Sequence, residues 1–179
     1  MRGVGVTKMR RVAAVAAVAL ASGVMLSGCA QGYVDVRVGN QASCTGMANL
    51  APGEVLVVGA PLTVVDGPVV LESITLLEAE GLELSGAYVL SMTDADLDQY
   101  GGGIGTMLLE DPYDVWELST PLEGATVEAG PTSSVNLALA RTGDGPGRVD
   151  AFRMTYRSAD GTPRQTDGEF RVRLGTDCD

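Results

Sequence analysis

The chain predicts an all-β fold: a two-sheet antiparallel sandwich of immunoglobulin-like form. Three observations carry this. Apolar and polar residues alternate with period two in several separate segments, as on half-buried sheets. The 24 glycines and 8 prolines divide those segments at short intervals. No window after residue 29 carries a helical stripe long enough for a helix layer. A small β-barrel is the alternative architecture.

The elements follow in order. Val34, Val36 and Val38 alternate with polar residues, a strand pattern near the start of the domain. Glu54–Val58 is a short apolar run that Gly59, Ala60 and Pro61 end. Val69–Leu77 follows the turn residues Asp66, Gly67 and Pro68, and Leu82–Met92 follows Glu80 and Gly81. Val135, Leu137 and Leu139 repeat the spacing of two, as do Phe152, Met154 and Tyr156. The last strand sets Phe170, Val172 and Leu174 against Arg171 and Arg173. Seven or eight strands in one domain, without helices, make a sandwich.

Asp160 and Gly161 mark a turn between the last two strands. A loop of those two residues alone would oppose Phe152 with Glu169 and divide the apolar rows between faces. An odd-length loop, three residues with a glycine bulge, sets Phe152 against Phe170 and Arg153 against Glu169.

The N-terminus carries a different signal. Arg2, Lys8, Arg10 and Arg11 precede an apolar stretch from Val12 to Met25, which is short for a bilayer span. Leu26-Ser27-Gly28-Cys29 then resembles the lipobox of bacterial lipoproteins. The resemblance covers the first 29 residues. It implies cleavage before Cys29, a diacylglycerol and palmitate-type acyl chains on that residue, and anchoring on the outer face of the cell membrane. In general style the chain also resembles uncharacterised surface lipoproteins of actinobacteria, a likeness that supplies no site residues. The expected organisation is a signal peptide over 1–28, a lipidated N-terminus and tether over 29–43, and one sandwich domain over 44–179. Such a tether reaches at most about 50 Å.

Cys44 and Cys178 remain once Cys29 is acylated. Two cysteines near the two ends of an exported domain read as a disulfide. It would close nearly the whole domain, worth about 5 kcal/mol by chain entropy. The antibody pattern of Cys, Trp and Cys is absent, because Trp116 lies between cysteines that sit at the domain's edges.

The side-chain inventory excludes most catalytic mechanisms. The chain has no histidine, and Lys8, its one lysine, lies in the signal segment. Ser–His–Asp, Cys–His, Ser–Lys and Schiff-base chemistry therefore have no members to draw on. Hydrolysis by two carboxylates survives, with candidates among Asp94, Asp96, Asp98, Glu110, Asp111, Asp114 and Glu117. Aromatic residues make up 4% of the chain, a poor supply for sugar platforms. Asp94, Asp96 and Asp98 also resemble the start of an EF-hand calcium loop. Gln99 then stands where the turn glycine belongs and Gly105 where the bidentate glutamate belongs, so a looser cation site is the remaining form. Gly101, Gly102 and Gly103 would let the backbone fold round such a calcium ion. No other cofactor is expected.

Without the signal segment, eight basic residues face 23 acidic ones, a formal charge of −15. Nucleic acid is thereby disfavoured as a partner. Fifteen acids and no basic residue lie between Arg37 and Arg141. Arg153, Arg157, Arg171 and Arg173 should share an outer face, either to recognise an anionic partner or to pair with Glu169 and its neighbours. Met47, Met92, Met107 and Met154 are scattered without histidine, so packing explains them better than copper. The expected function is that of a lipid-anchored, extracytoplasmic binding or scaffolding protein rather than an enzyme, with another envelope protein or surface component as partner. The alternatives are a calcium-dependent module and a carboxylate glycoside hydrolase.

Overall fold

Leu56, Val58, Ala60, Leu62 and Val64 occupy every second position of one strand, and all five enter the main core. That arrangement recurs through the computed structural model, which describes residues 35–45, 50–51, 53–103 and 105–175. The strands are β1 (Val36–Val38), β2 (Gln41–Thr45), β3 (Val55–Val64), β4 (Val69–Glu80) and β5 (Leu82–Met92). A helix α1 (Asp94–Tyr100) and β6 (Thr106–Leu108) follow, then a 3-10 helix at Asp114–Leu118. The remaining strands are β7 (Ser119–Pro121), β8 (Thr126–Val127), β9 (Thr132–Arg141), β10 (Gly147–Arg157) and β11 (Pro163–Leu174).

One sheet has the order β1-β3-β9-β5-β7, with β6 on the free edge of β3; the other has β2-β11-β10-β4-β8. The fold is therefore an all-β sandwich and not a closed barrel. The six long strands with β1 reproduce the constant-type immunoglobulin order, A-B-E-D in one sheet and G-F-C in the other. All strand pairs are antiparallel except β2, which runs parallel beside β11. Phe152, Phe170, Met154, Leu137, Leu139 and Leu71 are fully buried between the sheets, each worth about 1.5–3 kcal/mol of apolar burial.

Four expectations need correction. First, the strand pattern at Val34–Val38 is present as β1 over Val36–Val38, and β2 begins at Gln41, so the sandwich starts before residue 44. Second, the strand expected to stop at Val58 runs on through Pro61 to Val64. Pro61 is tolerated because β6 borders β3 at Leu56–Val58 and β1 borders it at Leu62–Val64, leaving a gap where no strand needs its missing N–H. Third, the segment after Met92 is helical, with α1 and the 3-10 helix lying outside the strands.

Fourth, the last hairpin has the expected three-residue loop with a glycine bulge, but one residue early, over 159–161: the Ser158 N–H donates to the Thr162 carbonyl at 3.0 Å, and Gly161 takes a φ of 81°. Phe152 therefore stands opposite Gly168, and Arg153 opposite Asp167, two positions from the expected partners. The even-numbered residues of β11 still face inward, since an odd loop keeps the faces matched. Further along, Phe170 and Arg171 together oppose Asp150 alone, a bulge that moves the buried positions of β10 from Phe152 to Val149. Cys29 and Cys178, and with them the signal segment 1–28, the lipidation site and the expected Cys44–Cys178 bridge, lie outside the described residues.

A second apolar layer was not anticipated. Val57, Leu90, Met92, Met107, Val115 and Ala138 are buried on the far face of the first sheet, with Tyr88, Leu97, Tyr100 and Trp116 packed on them. The insertion between β5 and β9 thus covers that face. Its signal was legible in the unbroken run Val55, Leu56, Val57 and Val58, because a strand covered on both sides loses polar alternation.

Candidate interaction surfaces

Period-two geometry, shifted by one residue at the bulge opposite Asp150, sends Arg148, Arg153, Arg157, Arg171 and Arg173 to the outer face of the second sheet, and there most of them meet acids. Arg153 donates two bonds to Asp167, at 2.7 and 2.8 Å. These bonds hold the Asp167 carboxyl below its usual range and raise the Arg153 guanidinium further. Arg157 bonds Glu72 at 2.7 Å and the Gly161 carbonyl at 2.9 Å. Arg148 lies 3.2 Å from Glu80, its cross-strand neighbour. Arg173 donates to Asp150 and to the carbonyls of Val149 and Val172, and its hydrogen bond keeps Asp150 low in pKa. Of the four arginines expected to form an anion-binding face, Arg171 alone makes no ion pair among the described residues. The acidic partners are mainly Asp167, Glu72 and Asp150 rather than Glu169. The face is a ladder of solvated cross-strand pairs, each contributing little on its own.

In the acidic segment, Asp96 is taken up in capping a helix. Thr93 begins α1: its hydroxyl accepts from the Asp96 N–H at 3.3 Å, while the Thr93 N–H donates to Asp96 Oδ2 at 2.8 Å. This reciprocal capping box satisfies two orphan donors of the helix start. The Thr93 side chain and then its backbone hold the Asp96 carboxyl below its usual range. Asp94 and Asp98, four apart, share a helix face that Asp96, midway between them, does not. The expected grouping of Asp94, Asp96 and Asp98 round a calcium ion is therefore not formed. Among the described residues no set of three or more acids and cysteines could hold a metal ion.

A surface hollow of about 590 Å³ lies beside this helix, lined by Gln99, Tyr100, Gly102, Gly103, Pro112, Tyr113, Asp114 and Val115. Two tyrosines flank it, but Asp114 is the one carboxylate in its lining, short of the pair a glycoside hydrolase requires.

One end of the sandwich holds a charged constellation that sequence reasoning missed. Asp35, with its side chain 7% exposed, lies 2.9 Å from Arg164 Nε. A hollow of about 220 Å³ there is lined by both residues with Asp66, Ser158, Ala159 and Asp160. Asp160 accepts from the Ser158 hydroxyl at 2.6 Å and from the Thr162 N–H at 2.9 Å. Those bonds, the Ser158 one foremost, lower its pKa to about 2, so it stays an anion and acts as a turn former. Burial, and then the charge of Asp35, push the Tyr156 hydroxyl upward. Nothing in the alternation of β1 or β11 marked Asp35 and Arg164 as partners.

The side of the sandwich formed by β4 and β5 is open. β8 pairs with β4 at Val69 and Val70, and β7 with β5 at Tyr88–Leu90. The turn between β7 and β8 adds bonds to Leu71 and Ala87. Beyond these, β4 and β5 pair on one side only among the described residues. A hollow of about 380 Å³ sits at this side, lined by Glu72, Ser73, Ile74, Gly86, Ala87, Tyr88, Pro121, Leu122 and Glu123. Ile74, Leu76, Leu84 and Ala87, which pack on the main core, are half-buried there.

No family model, curated protein or solved structure matches this chain.

Proposed function

We propose that this chain is an exported lipoprotein, cut before Cys29, diacylated there and held on the outer face of the cell membrane. Its sandwich works there by binding or scaffolding another envelope component. The observation that carries the reading is Leu26-Ser27-Gly28-Cys29 placed after a basic start and a short apolar stretch. Two or more acyl chains are enough for stable anchoring. Missing histidine, together with lysine confined to residue 8, supports binding over catalysis.

The position of β1 adds a geometric consequence. Five residues separate Cys29 from Asp35, so in this reading the end that carries Asp35 stands within about 20 Å of the lipid surface. The turn at Val65 joins Asp35 there by a backbone bond of 2.7 Å, and Ala159 lies beside Gly67. Strands of ten to twelve residues carry the β9–β10 loop to the opposite end, which projects away from the bilayer in this reading.

The test is metabolic labelling with an alkyne fatty acid, followed by mass spectrometry of the N-terminal peptide. Acyl chains on Cys29 with the first 28 residues removed are expected. Cys29→Ser should abolish the label and release the protein from membranes. An intact N-terminus or an unmodified Cys29 thiol would overturn the proposal.

A further inference from the structure

Strand edges with free backbone groups are templates for another strand, and natural proteins guard them with lysine, proline, bulges or inward charges. On β4 the guards stand at the two ends of the free stretch. The ladder with β10 is irregular at Glu72, and Glu78 adopts a left-handed φ of 53°. Between them Ser73, Ile74, Thr75, Leu76 and Leu77 carry no charge and no proline. Five residues match the length of an ordinary strand pairing. Ile74, Ala87 and Leu122 offer an apolar floor in the adjoining hollow.

The charges at this side are of one sign. β4 carries Glu72, Glu78 and Glu80, β5 carries Glu83, and the turn beyond β7 carries Glu123; neither strand has a basic residue. Arg157 engages Glu72 and Arg148 engages Glu80. Glu78, Glu83 and Glu123 have no ion pair among the described residues, and each is exposed. A second copy of this chain would bring glutamate against glutamate, which opposes self-pairing. A cationic strand would be attracted.

We infer that the open side binds an extended segment of a partner protein, added as a strand to the Ser73–Leu77 edge. Side chains of that segment that enter the hollow at Ile74 and Ala87 are apolar, and arginine or lysine within it supplies the charge complementary to Glu78, Glu83 and Glu123. The inference rests on the reading of the chain as a binding protein, and names the class of partner.

Hydrogen exchange on the full chain in detergent tests it, with a short peptide of alternating arginine and valine as the added ligand. Exchange at 73–77 and 82–86 should slow about tenfold at saturation. The same peptide methylated on every backbone nitrogen keeps its charge and loses its donors, so it should protect neither segment. Glu83→Arg combined with Glu123→Arg changes two exposed side chains and should weaken binding about tenfold. Equal protection by the methylated peptide, protection centred on α1, or no protection at millimolar peptide would each overturn the inference. Acylation of Cys29 is read separately, so failure there leaves this result standing.

Discussion

Gly168 lies directly opposite Phe152 in the last hairpin, and the phenyl ring occupies the space that a side chain at residue 168 would need. An added Cβ would meet Val38 Cγ1 at 2.8 Å and the Phe152 ring at 3.1 Å. The same ring meets Phe170 edge to face, with centroids 5.5 Å apart. Glycine normally weakens a strand, so the crowding sets the sign here. Gly168→Ala should cost about 1–3 kcal/mol. Equilibrium urea unfolding measures it; an unchanged midpoint would mean that β1 moves aside freely.

The Asp35–Arg164 pair should respond unequally to loss of its two members. Asp35 is almost wholly buried, whereas the Arg164 side chain is one-third exposed. Arg164→Met strands a buried carboxylate, while Asp35→Asn leaves a guanidinium that water still reaches. The first should cost about 1–3 kcal/mol, the second less than about 1 kcal/mol. Thermal melts of both variants decide it, and equal losses would contradict the burial argument.

Acid should destabilise the fold through its hydrogen-bonded carboxylates. Asp160 falls from an ordinary 3.8 to about 2 on folding, and Asp96, Asp150 and Asp167 also move down. A pKa depressed by folding means that the unfolded chain binds more protons in that window, so stability rises with pH. The contribution is complete above the unfolded value and disappears as pH falls through the folded one. Denaturant midpoints measured downward from pH 5 should decline most steeply below pH 4, and Asp160→Asn should flatten the decline.

Trp116 makes an edge contact with Tyr88 at 4.8 Å between centroids and helps bind the insertion to the first sheet. Trp116→Ala should cost about 2 kcal/mol, below the range for a fully buried ring because the indole is only half-buried. Exchange protection should fall in α1 and the 3-10 helix before it falls in β3 or β9. A uniform loss across both sheets would show that the insertion and the sandwich unfold as one unit.

Much of the strand content could be read from residues such as Ile74, Leu84, Leu137 and Met154, which recur at the pleat's own period. The odd parity of the last loop was also legible, since Phe152 and Phe170 had to share a face. The loop's position was not: three residues centred on Asp160 and three centred on Gly161 satisfy parity equally, and Ser158, Asp160 and Thr162 settle the matter through hydrogen bonds that span the turn. The Arg153 partner shifted with it, from Glu169 to Asp167. At Asp94, Asp96 and Asp98 the composition suggested ligands, but Thr93 takes up the middle carboxylate first.

By itself the sequence determined where the six long strands run, β3 only in its first half, and which of their side chains turn inward, because two residues per pleat is a property of the local backbone. Only the tertiary structure decided which acid meets which arginine, that an insertion covers the far face of β3 and β9, and that β4 and β5 leave a side open. Those outcomes depend on loop lengths and on bulges such as the one opposite Asp150. A bulge or a lengthened loop moves one strand past another by whole residues and leaves the alternation within each strand largely as it was.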